Sequence, residues 1–203
     1  MRKIIPFEGI NDAITSLDNG GRFYNLLTKA NDGNISASEL EKVAGVFSDK
    51  QKAVLYFAMS ISELKGNPRE QIETSLTADL NLAYNRYLPQ ELQASEAESK
   101  GIVSSNAIIT GIPKMVDSKA GLKGFIMVST GKTLAMIPIM DRYEVYEIRD
   151  NGSANTFLIA HSKGSEKLPE KTIKVGGIIK GLKKAQTEDP KKFLEALYYC
   201  DID

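Results

Sequence analysis

The chain has 203 residues, 42% hydrophobic and 26% charged, a balance that fits folded protein and argues against extended disorder. Lys plus Arg equals Asp plus Glu at 26 each, so no overall field draws the chain to nucleic acid or to an anionic membrane. The length suits one large domain or two small ones.

The charge is unevenly spread. Residues 1–100 hold 11 basic and 14 acidic side chains, a net of −3, and residues 101–203 hold 15 and 12, a net of +3. The single cysteine, Cys200, permits no intrachain disulfide and suits a reducing compartment. The apolar start of "MRKIIPFEGINDAI" stops at Pro6 and Glu8, too short for a signal-peptide core. No apolar run approaches the roughly 20 residues of a membrane-spanning helix. The expectation is a cytoplasmic protein without membrane contact.

The first half reads as helical. Short helices are expected over 9–18 and over 22–29, where Phe23, Leu26 and Leu27 are apolar. "SASELEKVAGVF" opens on Ser36 with Glu39 three residues on, a capping-box spacing in which each side chain answers the other's backbone N–H. Ser48 with Gln51 predicts the same start for a helix running to Lys65, with Gly66 as its stop. Asn67, Pro68 and Glu70 predict one long helix over 67–88. Its apolar stripe is Ile72, Leu76, Leu80, Ala83, Tyr84 and Tyr87. These helices, joined by short loops, are expected to form a small bundle over 1–92.

Residues 93–101, small and charged, read as a linker. From there strand signals dominate. "NAIITGIPKMV" carries a glycine inside a strand. "KGFIMVST" and "KTLAMIPIM" flank Gly131 and Lys132, a hairpin join. "RYEVYEIRD" alternates, with Tyr143, Val145 and Glu147 on one face and Glu144, Tyr146 and Ile148 on the other. "TFLIAHS" and "KTIKVGGIIKGL" follow. A polar helical turn is expected around "AQTEDPKKF", and "FLEALYYCDID" is read as the closing strand. Gly111 and the Gly176–Gly177 pair stand where a closed barrel must bend.

These features resemble the OB-fold, the oligonucleotide/oligosaccharide-binding barrel. The likeness rests on "AIITGIPKMV" as first strand, "KTIKVGGIIKGL" as penultimate and "FLEALYYCDI" as last, over residues 102–203. The expected architecture is α+β: a helical domain at 1–92, a linker at 93–101 and an OB-like barrel at 102–203. The resemblance implies possible binding of single-stranded nucleic acid through aromatic and basic residues on one barrel face.

Candidate chemistry is sparse. "TKANDGNISASEL" is similar to the second half of an EF-hand loop. Thr28 and Ala30 stand where carboxylates are needed, and a turn followed by a helix cap explains the same residues. "STGKT" lacks the upstream glycine of a P-loop. His161, the only histidine, has no paired nucleophile in the sequence, and no metal or cofactor is expected. Lys163, Lys167, Lys171, Lys174, Lys180, Lys183 and Lys184 form a basic run. It reads either as a phosphate-contacting rim or as a solvated edge where lysine blocks strand pairing. If a nucleic-acid face exists, its candidates are Arg142, Tyr146, Lys163, Lys167, Lys174 and Lys180. The leading expectation is a non-enzymatic binding or scaffolding protein with a protein partner. Single-stranded nucleic-acid binding by the barrel is the alternative.

Overall fold

The computed structural model describes residues 1–19, 31–116, 125–129, 134–182 and 191–202. The predicted helix over 22–29, the Gly131–Lys132 join and the turn around 185–190 lie outside the described residues. Two compact units are present, Ile4–Pro89 and Met1–Lys3 with Gln90–Asp203. No helix among the described residues is long and apolar enough to cross a membrane.

The first unit is helical: α1 (Ile10–Leu17), α2 (Ala37–Ala44), α3 (Lys50–Ser60), α4 (Asn67–Thr74) and α5 (Ala78–Tyr87). At α2 the capping box forms as the spacing requires. Ser36 Oγ accepts from Glu39 N–H at 3.3 Å, and Glu39 Oε2 accepts from Ser36 N–H at 2.9 Å. The helix α3 is buried from Ala53 through Ser60, apolar around most of its surface, so it is the centre of this unit. The Ser60 hydroxyl in that stretch is satisfied locally, its Oγ donating to Tyr56 O at 2.8 Å.

Three predicted boundaries are corrected. Asp49, not Ser48, caps α3 by accepting from Lys52 N–H at 3.1 Å; Ser48 adopts a φ of 52° and donates its N–H to Glu41. Gly66 does not end α3 but precedes α4 with a φ of 60°. The long helix expected over 67–88 is two helices. Ile35 donates its N–H to Ser75 O at 2.8 Å and accepts from Thr77 N–H at 3.0 Å, taking the backbone groups that a continuous helix would use internally.

The turn before α2 is also held at a distance. Buried Asp18 accepts from Asn31 N–H and Gly33 N–H, each at 2.7 Å. Asp32 Oδ1 accepts from Asn34 N–H at 2.9 Å. Both carboxylates therefore accept from backbone N–H groups, as in a turn.

The second unit contains β1 (Arg2–Lys3), β2 (Gln90–Gln93), α6 (Ala94–Lys100), β3 (Asn106–Met115), β4 (Phe125–Ser129), β5 (Leu134–Pro138), α7 (Ile139–Arg142), β6 (Tyr143–Arg149), β7 (Thr156–Ser162), β8 (Ile173–Leu182) and β9 (Lys191–Asp201). The expected linker at 93–101 is instead α6, and its Ala94 and Ala97 belong to the barrel core.

Strand β3 pairs with β6, β6 with β7, β7 with β9, β9 with β8, and β8 again with β3. The ring closes. Only the β7–β9 pair within it is parallel. Numbering the barrel strands in chain order gives 1-2-3-5-4-1, a five-stranded Greek-key barrel of the OB type. Strands β4 and β5 form a separate antiparallel pair between the first and second barrel strands, so the hairpin expected as barrel wall lies outside the ring.

The predicted glycines have steric reasons. A Cβ on Gly111 would stand 2.7 Å from Arg149 O, and one on Gly177 would collide with Glu195 O. The β8–β9 register shifts between Gly176 and Gly177, which face Tyr198 and Ala196 and leave Leu197 unpaired as a bulge. Inside the ring pack Ile109, Tyr146, Ile148, Phe157, Ile159, Val175, Leu194 and Tyr199. Asp150, following β6, accepts from Ala94 N–H at 2.8 Å and Ser95 N–H at 3.1 Å and so fixes α6 over its end of the barrel core.

Candidate functional site

Alternation decides what the barrel shows to solvent. On β6 the residues Tyr146 and Ile148 point inward, and on β7 so do Phe157 and Ile159. Continuing that parity brings Glu144 and His161, direct partners in the β6–β7 ladder, to the barrel end from which residues 163–172 depart. His161 is 1% exposed. Its Nδ1 lies 3.1 Å from Ser162 O, and its Nε2 lies 3.4 Å from Tyr146 Oη and 3.7 Å from Glu144 Oε2. The His161 and Tyr146 rings stack with centroids 5.4 Å apart. Leu168, buried from the 163–172 loop, donates its N–H to Tyr146 Oη at 3.4 Å. Burial raises the Tyr146 phenol above its ordinary range; the Leu168 N–H opposes this and the Glu144 charge adds to it.

Tyr146 is therefore part of the interior and presents no ring face to an external ligand, so it leaves the predicted interface. The other barrel aromatics are no more open to stacking: Phe157, Tyr198 and Tyr199 are buried, and half-buried Tyr143 donates to Glu195 Oε1 at 2.7 Å. Burial, then Glu195, raises the Tyr143 phenol beyond its ordinary range.

The basic candidates divide. Lys180 lies 3.7 Å from Glu195 Oε2, and Lys171 lies 3.1 Å from Asp201 Oδ2, which also takes Lys3 at 2.8 Å. Lys174 sits on β8 between Thr110 of β3 and Cys200 of β9. Arg142 and Lys163 are brought together where the β6–β7 ladder ends, Lys163 N–H donating to Arg142 O at 3.2 Å. Both side chains are exposed, as is Lys167. Lys183 and Lys184 lie outside the described residues.

The outer face of the second and third barrel strands, which the OB resemblance makes the ligand face, is not open. Val145, Leu158 and Ala160 are buried there with Phe193, Leu182 and Ile139 of α7.

The helical unit has a surface that sequence reading did not single out. Two adjoining hollows, about 420 and 280 Å³, share Lys50 and Tyr87. The first is lined also by Glu41, Ser48, Asp49 and Gln51, the second by Asp79, Leu82, Ala83 and Arg86. Leu82 is 74% exposed, and Phe47, one residue before the lining Ser48, is 90% exposed. Lys50 lies 3.8 Å from Asp79, and the Arg86 guanidinium lies 5.3 Å from the Tyr87 ring centre. A signal was available: Leu82 falls off the apolar stripe of its helix, on the side away from Leu80 and Ala83.

No family model matches the sequence, and no curated protein matches it. Among solved structures the chain is similar to the N-terminal domain of an archaeal MCM, at 13% identity over 93% of this chain and 91% of that one, with a TM-score of 0.36. A likeness that shallow bears on no functional question, and the OB topology stands on the strand order itself.

Proposed function

We propose that the chain is a non-enzymatic binding protein that takes a protein partner in the groove between the start of α3 and α5. The observation that carries this is the exposure of Phe47 (90%) and Leu82 (74%) beside paired hollows. Large apolar side chains at a concave, polar-rimmed surface are the usual anchors of protein recognition. Leu82 and Ala83 suit an apolar side chain, and Arg86, which makes no ion pair among the described residues, suits a neighbouring carboxylate. The partner is thus a segment with an apolar residue next to an acidic one. His161 is buried, so this structure does not offer it to a substrate as a base.

The test maps protection. A partner isolated with the intact chain and then purified is expected to slow amide exchange across 47–51 and 79–87. Leu82→Glu is expected to weaken binding at least tenfold while leaving stability within about 0.5 kcal/mol. Protection confined to the barrel, or full binding by the variant, refutes the reading.

A second reading rests on Arg142 and Lys163, placed side by side at the barrel end with Lys167 nearby in sequence. These three would contact the phosphates of a single strand. Labelled oligonucleotides titrated at low salt test it, and no binding there removes it.

A further inference from the structure

The barrel end that holds His161 has an unresolved conflict of hydrogen bonding. A carbonyl oxygen only accepts, so the 3.1 Å contact to Ser162 O places a proton on Nδ1. In the neutral ring Nε2 is then a bare acceptor. Tyr146 O–H donates to it at 3.4 Å, and Tyr146 Oη itself accepts from Leu168 N–H at 3.4 Å. The bonds run in one direction, Leu168 to Tyr146 to His161 to Ser162, and tie the 163–172 loop to the barrel. Glu144 Oε2 has no share in this. It is buried, has no hydrogen-bond partner among the described residues, and faces the Nε2 lone pair at 3.7 Å. A buried carboxylate oxygen opposite another acceptor is costly.

We propose that this barrel end is a proton-operated latch, in which His161 exchanges Tyr146 for Glu144 when Nε2 takes up a proton, and the 163–172 loop loosens in consequence. The proton turns Nε2 from acceptor to donor. Glu144 Oε2 then gains the charge-assisted partner it lacks after moving in by less than about 1 Å. Tyr146 O–H loses its acceptor, and the chain that polarised it toward Leu168 is cut. The other titratable groups near this end are Tyr199 on β9 and Glu166 in the loop. Tyr199 is raised first by burial and then by the Glu166 charge. Lys3, Lys171 and Asp201 are engaged with one another. The released loop carries Lys163 and Lys167, so proton uptake changes how the barrel presents these exposed cations.

One histidine in the chain makes the experiment unambiguous. Nitrogen-resolved NMR of the intact protein, followed as the pH is lowered, is expected to start from Nδ1 protonated and Nε2 bare. Over the interval in which the ring signals move, the Leu168 amide protection factor is expected to fall, by up to about the tenfold that loss of the whole bond would give, because its bond to Tyr146 Oη is weakened when the chain is cut. Tyr146→Phe is expected to leave the ring titrating but to abolish the coupled step at Leu168, and Glu144→Gln to shrink it. An Nε2-protonated ring at high pH overturns the proposal. So does unchanged Leu168 protection once Nε2 has taken up its proton.

Discussion

Asp150→Ala is expected to loosen α6 from the barrel. The helix has no capping side chain of its own, since Gln93 makes no such bond. Asp150 supplies the cap from 55 and 56 residues away, its two carboxylate oxygens accepting from Ser95 and Ala94 N–H at 3.1 and 2.8 Å. Loss of an N-cap acceptor costs about 0.5–2 kcal/mol, and loss of a negative charge at a helix start adds about 0.3–1 kcal/mol. Because Ala94 and Ala97 sit in the barrel core, the helix cannot fray freely to hydrate its N–H groups. The sum is about 0.8–3 kcal/mol, and the buried setting favours its upper half. Asp150→Asn keeps one acceptor oxygen and loses the charge, so it is expected to cost about half as much. Urea unfolding of the intact chain measures both, and amide exchange at Ala94 and Ser95 localises the loss. A cost below about 0.5 kcal/mol for alanine, or an asparagine variant as weak as alanine, refutes the assignment of the cap.

Gly177→Ala is expected to cost about 1–3 kcal/mol, because its Cβ would press on Glu195 O and lie 2.8 Å from Leu194 Cγ. Gly181→Ala, with nothing within 4 Å of its Cβ, is the control and is expected to be near neutral; equal urea midpoints would remove the steric account of the bulge. On the alkaline side, burial and then Glu73 push the Tyr84 phenol up to about 12 from 10.0. The folded state holds that proton more tightly, so the stabilisation is full below pH 10 and is lost as pH rises through about 12. Tyr84→Phe forfeits the 2.7 Å bond to Glu73, about 0.5–1.5 kcal/mol at neutral pH, and is expected to flatten the alkaline decline. An unchanged alkaline slope in denaturation against pH refutes that role.

The barrel was legible because its constraints are local. Alternation at 143–149 and glycines where strands approach closely are both written within a few residues. Which parity of β6 faces inward was not legible. Val145 on one face and Ile148 on the other are both apolar, because the outer face is itself covered by Ile139, Leu182 and Phe193. Tyr146 was accordingly assigned to a surface when it is core. The division of 67–88 and the cap on α6 were hidden for another reason. Each depends on a backbone group or carboxylate distant in sequence, Ile35 in one case and Asp150 in the other. Local propensity carries no trace of either.

The lysine-rich stretch that suggested a basic rim sets a limit on the nucleic-acid reading. Lys171 and Lys180 already lie beside Asp201 and Glu195, so part of their charge is offset before any phosphate arrives. Among the predicted contacts that leaves Arg142, Lys163 and Lys167 exposed and without an ion pair among the described residues. Each phosphate neutralised on a single strand contributes about −0.7 to the slope of log K against log salt. Three contacts therefore give a slope near −2, and affinity should fall only about fourfold for a doubling of salt. Anisotropy titrations of the intact chain with a labelled oligonucleotide measure that slope. A value much steeper than −2 would mean that further cations turn outward on binding, Lys171 and Lys180 first among them. A slope near zero would mean that the barrel end contacts no phosphate at all.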